Sequence, residues 1–195
     1  MQIKKLVLVS FLLVMTLVFY GCNLKGKANS TSADFFKDLN QYEANVTVTF
    51  LKDKQPNTIK MKQIAKTDGT YEMTVLGPEH LKDVKMTCDG QRVLEYYPSI
   101  NRTVEQQMSK AQNEILLTSF AKRYMTNENI KKQETQLDGK KMITYEMSIE
   151  GDFKYLSKEK IWLEEKNLTP VQMVLYDDEG NITIEVIYND FKYNF

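Results

Sequence analysis

The chain has 195 residues, 42% of them hydrophobic and 27% charged, with only 4 Pro and 8 Gly. That is enough for one domain with a core that needs no disulfide, and the composition excludes a long disordered segment. Lys and Arg number 26 and Asp and Glu 26, a formal net charge of +0, so there is no electrostatic ground for binding nucleic acid.

The chain opens with a basic segment, Met1 to Lys5, followed by Leu6 to Tyr20, an almost wholly apolar run broken by Ser10 and Thr16. A membrane-spanning helix wants about 20 apolar residues. The shorter run reads as the hydrophobic region of a signal peptide over residues 1–21. Phe19-Tyr20-Gly21-Cys22 resembles the lipobox cut by lipoprotein signal peptidase. Leucine is usual at the position of Phe19 and a small residue at that of Tyr20. The resemblance implies that Cys22 becomes the first mature residue, carries the lipid (diacylglycerol on sulfur, with palmitate-type acyl chains) and holds the protein outside the cytoplasm at the cell or forespore membrane. The alternative is an uncleaved signal anchor with an incidental cysteine. Residues 22–32, polar and flexible in composition, read as a lipidated tether. With Cys22 acylated, the second cysteine, Cys88, has no partner in the chain.

The folded domain is expected over residues 33–195. Phe35, Phe36, Leu39 and Tyr42 fall at helical spacing and predict a short helix over Asp34 to Tyr42. From Asn45 the period becomes two. Val46, Val48 and Phe50 alternate with polar neighbours, as do Ile59 and Met61, Tyr71, Met73 and Val75, then Val84, Met86 and Cys88. Val93 to Tyr97 reads as a strand apolar on both faces. Asp68-Gly69 and Asp89-Gly90 stand between such runs as hairpin turns. The 3.6 period of Ala111, Ile115, Leu116, Phe120, Ala121 and Tyr124 predicts one helix over Ser109 to Met125, with Ser109 and Gln112 as its capping box. Ile143, Tyr145, Met147 and Ile149 then give the cleanest alternation, followed by strands over Ile161 to Leu163, Val171 to Tyr176 and Ile182 to Tyr188. The fold class is therefore mainly β (α+β): about ten antiparallel strands in one curved sheet, its concave face covered by two helices.

The segment Lys160 to Asn181, a Trp-bearing strand, a turn ending in Pro, a strand and an acidic Gly turn, resembles the LolA-like lipoprotein-carrier superfamily. Tyr96 to Arg102 and the helix over Asn113 to Tyr124 sit where that group has its mid-chain strand and helix. The resemblance implies a LolA-like open half-barrel. Within that group the layout of leader, tether and one domain resembles the clostridial spore germination lipoproteins. That implies a partner, the N-acetylmuramoyl-L-alanine amidase of the spore cortex, which removes stem peptides so that muramic-δ-lactam can form and the cortex can be degraded. The lipoprotein would support the enzyme without doing chemistry. The alternative is a LolA-like carrier or binder of lipids or lipoproteins, for which Met61, Met73, Met86 and Met147 would supply an apolar concave face. An open sheet edge also allows a homodimer.

The inventory for catalysis is thin, and no enzyme, cofactor or metal is expected. His80 is the single histidine and reads as a solvated loop residue; an envelope hydrolase would have to rest on it. One His and one free Cys do not make a zinc site. Asp177 to Asn181 lacks the spacing of a calcium loop and reads as a hairpin turn. Glu164 and Glu165 are adjacent and so point to opposite faces of a strand, which bars an acid/base pair. Cys88 reads as a small buried hydrophobe, and Trp162 as core packing rather than the wall of a lipid cavity or an interface.

Overall fold

A computed structural model describes residues 32–51, 55–107 and 109–194. The expected signal peptide, Cys22 and the tether up to Thr31 lie outside the described residues. Among the described residues, three helices, α1 (Ser32–Asp38), α2 (Lys110–Glu114) and α3 (Leu117–Thr126), accompany eleven strands. These are β1 (Gln41–Phe50), β2 (Asn57–Lys66), β3 (Tyr71–Gly77), β4 (Lys85–Cys88), β5 (Val93–Tyr97), β6 (Arg102–Gln106), β7 (Lys131–Leu137), β8 (Lys140–Ser148), β9 (Lys158–Glu164), β10 (Pro170–Tyr176) and β11 (Ile182–Tyr193).

The strands form one antiparallel sheet in the order β6-β5-β4-β3-β2-β1-β11-β10-β9-β8-β7. Two meanders, β1 to β6 and β7 to β11, meet where the first strand pairs with the last, from Tyr42 opposite Tyr193 to Phe50 opposite Ile184. The sheet is open: β6 and β7, consecutive in the chain, occupy opposite edges. The chain must therefore travel from one edge to the other, and α2 and α3 lie on that path. The expected open antiparallel sheet is what the chain forms, with one strand more than the roughly ten anticipated.

The turns follow from their residues. Asp138 and Gly139 both have positive φ, +49° and +76°, and link Leu137 to its partner Lys140. That is the type I′ geometry whose twist suits a two-residue hairpin. At the β10–β11 turn, Asp177 accepts from the N–H groups of Glu179 (3.0 Å) and Asn181 (2.7 Å). The hydrogen bond from the Asn181 side chain, with those amides, holds the Asp177 carboxyl below its usual range despite some desolvation. The acidic turn thus satisfies itself, as a hairpin turn does.

Alternation puts Tyr42, Ala44, Val46 and Val48 of β1 on the inner face, buried beside Met61, Met73, Ile161, Leu163, Met173 and Val186. The helices complete this core. Phe36 of α1 packs on Phe120 (ring centroids 5.3 Å) and Tyr124 (4.5 Å) of α3 and on Tyr145 of β8 (5.6 Å).

Two helical expectations change. The first helix ends at Asp38, and Tyr42 belongs to β1, where its inward position serves the strand period as well as the helical one. The second is not continuous: Leu116 is extended (φ −93°, ψ 130°) and separates α2 from α3. The Ser109–Gln112 capping box is present at the start of α2.

Candidate functional site

The inner face carries an ion cluster beneath the helices. Glu114 ends α2, Arg123 lies in the last turn of α3 and Glu159 lies on β9; both glutamate side chains are 0% exposed. Arg123 donates through Nε to Glu159 Oε1 (2.5 Å) and through Nη2 to Glu159 Oε2 (2.8 Å), a two-pronged contact. Its Nη2 also donates to Glu114 Oε2. Lys110 approaches Glu114 Oε1 at 2.9 Å. Nine residues along a continuous helix turn a side chain by about 180°, so Glu114 and Arg123 could not meet without the break at Leu116. The break is thus what allows one guanidinium to serve both acids. Burial raises the Glu159 carboxyl against the pull of Arg123. Burial works to lower the Arg123 pKa, but Glu159 and Glu114 raise it above its ordinary value.

A second buried contact ties α3 to the sheet. The Leu117 N–H donates to the Tyr42 hydroxyl (3.3 Å), which donates to Gln63 Oε1 (2.7 Å). Burial holds the Tyr42 pKa well above its usual range, opposed by the Leu117 N–H. Nearer the β6 edge, buried Glu95 accepts from Tyr97 (2.6 Å), Gln106 (2.9 Å) and Gln112 (3.1 Å). All three are neutral donors, and Gln112 belongs to α2. Charged and polar pairs therefore fix where the crossing helices sit.

The residues singled out in the sequence are scattered. His80 is exposed in a single 3-10 turn, Glu79–Leu81. Cys88 is a free, buried thiol on the inner face of β4. Met61, Met73 and Met147 are in the packed core, with Met86 against it. Glu164 ends β9 and pairs with Lys140 (2.6 Å), while Glu165 begins the following turn rather than facing the other side of the strand. Trp162 is not core packing. Ile161 and Leu163 take the inner face, so Trp162 faces outward, half-buried, with Lys160 Nζ 5.0 Å from its ring centre. Leu94, expected in a strand apolar on both faces, is 40% exposed. Among the described residues no cluster of His, Cys, Asp and Glu could hold a metal ion, and no helix is long and apolar enough to cross a membrane.

The arrangement ties the crossing helices to the sheet through Arg123, Tyr42 and Glu95. Glu114, Arg123 and Glu159 were not singled out beforehand. Their signal was parity: Glu159 shares the inner face with Ile161 and Leu163, a charge in an apolar phase.

The profile of a family described as "Sporulation protein YdcC-like" matches residues 2–195. No curated protein matches. Among solved structures, that of the CwlD amidase from Clostridioides difficile in complex with the GerS lipoprotein contains a similar chain. It is 26% identical, with 89% of this chain and 99% of that chain covered and a TM-score of 0.53. An uncharacterized conserved protein from Thermus thermophilus is 12% identical, with 84% and 88% covered and a TM-score of 0.52. The LolA superfamily protein NE2245 from Nitrosomonas europaea is 12% identical, with 87% and 93% covered and a TM-score of 0.43.

Proposed function

The chain belongs to the YdcC-like family of sporulation proteins, and from that premise we propose that it is a non-catalytic lipoprotein of spore germination that binds and supports a cortex peptidoglycan amidase. In this reading the protein is lipid-anchored at Cys22 outside the cytoplasm, and its amidase partner prepares the cortex for muramic-δ-lactam formation and later degradation. The observation that carries the reading is the 26% identity that runs through 99% of the similar chain in the amidase–GerS structure. Two features support it. The buried acids Glu114 and Glu159 and the arginine between them are committed to one another and to the crossing helices. The inner face of the sheet, where a carrier would seat a lipid, is occupied by Phe36, Leu117, Phe120 and their neighbours.

The test is affinity purification of the tagged protein from sporulating cells, with muramic-δ-lactam measured in spores of a deletion strain. The reading expects an N-acetylmuramoyl-L-alanine amidase in the eluate and loss of the lactam. Recovery of no amidase together with a normal cortex would end it. Peptidoglycan cleavage by the purified protein alone would overturn the non-catalytic part. Mass spectrometry of the mature N-terminus checks the anchor, and a first residue other than acylated Cys22 refutes it.

A further inference from the structure

Among the described residues, the crossing helices leave a polar recess. Where the first turn of α3 passes the β2–β3 hairpin, a cleft of about 130 Å³ opens, lined by Lys66, Thr70, Asn113, Thr118, Ser119 and Lys122, with Gly69 and Arg123 in its wall. Thr118 and Ser119 are 4% and 8% exposed, yet neither hydroxyl has a hydrogen-bond partner among the described residues. The two side chains are thus packed in place with their hydroxyls left to face the cleft they line, where they can meet a ligand's oxygens.

The surrounding groups define the ligand. Of the first-turn amides of α3, Leu117 N–H donates to Tyr42, and Ser119 and Phe120 N–H donate to the Leu116 carbonyl. That leaves the Thr118 N–H as the available donor at the positive end of a ten-residue helix. Lys122 follows on the same helix. Its Nζ lies 4.0 Å from where a side chain on Gly69 would begin, and Gly69 has a φ of +98°. Lys66 stands at the end of β2. Neither lysine forms an ion pair among the described residues. The nearby acid, Asp68, feels the charge of both lysines, but its Oδ1 is held by the N–H (2.8 Å) and hydroxyl (2.7 Å) of Thr70 rather than by either ammonium group. The donors are thus two hydroxyls, one amide and two ammonium groups arranged in space. The planar fork that suits a carboxylate is the Arg123 guanidinium, already committed to Glu159. We infer that this cleft binds a phosphate group, held by Thr118, Ser119, Lys66 and Lys122. The phosphate could come from a free ion or a lipid headgroup, since both present the same oxygens.

The site is independent of the amidase reading. Its test is isothermal titration calorimetry of the full chain in non-ionic detergent at constant ionic strength. Inorganic phosphate is one titrant and dihexanoyl phosphatidylglycerol the other, with Lys66→Gln, Lys122→Gln and Thr118→Val as variants. Saturable binding is expected, weakened about tenfold by loss of one charge-assisted contact. Binding of inorganic phosphate assigns the free ion; binding of the lipid alone, weakened in the same variants, assigns the headgroup. Absence of saturable binding to either titrant, or equal binding by all variants, overturns the inference. Lys66 is exposed on the surface, so its variant keeps the test decisive if Thr118→Val fails to fold.

Discussion

Replacing Arg123 by alanine removes the guanidinium that two fully buried carboxylates share. The variant leaves Glu159 with neither of its two guanidinium contacts and Glu114 with Lys110 as its cationic neighbour. Breaking a buried pair by removing one partner costs about 3–5 kcal/mol, because the remaining charge keeps its desolvation penalty. Arg123 is itself 16% exposed, which places the expected loss near the lower bound, about 3 kcal/mol. With a urea m-value of about 2 kcal/mol/M, the unfolding midpoint should fall by roughly 1.5 M. Equilibrium urea unfolding followed by circular dichroism reads this directly. The combination Glu114→Gln, Arg123→Met, Glu159→Gln should recover most of the loss, since no unpaired charge remains. A midpoint drop under about 0.3 M for Arg123→Ala, or no recovery in the triple variant, would refute the claim that this cluster anchors the crossing helices.

Other outcomes follow from the same packing. Phe120→Ala should cost about 3–5 kcal/mol in the same assay, because Phe120 is fully buried against Phe36, whereas outward-facing Trp162→Phe should cost less than about 1.5 kcal/mol. Gly139→Ala places a side chain in open space but at a φ of +76°, so the backbone alone sets its cost, about 1 kcal/mol. Burial, with Cys88 and Glu95 nearby, pushes the Tyr71 hydroxyl up to about 12. A folded-state pKa above the unfolded one means that its contribution is complete below about pH 10 and lost as pH rises through about 12. Tyrosinate absorbance at about pH 11 should therefore increase less than in urea, and Tyr71→Phe should narrow that gap by one residue's share; equal absorbance in both states would contradict the burial.

What could be read beforehand follows from where burial imposes a period. The alternation of Ile143, Tyr145 and Met147 was visible because one face of β8 is dry. No such pattern marked β7: its residues Lys131 to Gln136 are all exposed, and Leu137 is half-buried. β6 is similar, with Val104 its only half-buried residue. Both are edge strands, where charge discourages pairing with other chains. The break in the second helix was hidden because Ile115 and Leu116 fit the helical spacing; only the need to bring Glu114 against Arg123 reveals it. Trp162 was misplaced by its residue type, although its neighbours Ile161 and Leu163 already assigned it to the opposite face. Thr118 and Ser119 carry no sequence signal, because a hydroxyl without a partner is a property of packing.

The pairing of the first strand with the last has a consequence for how the domain matures. Asp38 and Asn194 are joined by a hydrogen bond across 156 positions, and β11 supplies the seam between the two meanders. Of the pairings in the sheet, that seam joins the strands most distant in sequence. Closing so long a loop carries an entropic cost that nearer contacts do not, so each meander can form from neighbouring strands while the seam waits for both to be in place. Lesions in β11 should then slow refolding from urea more than equally destabilising lesions near the β4–β5 hairpin.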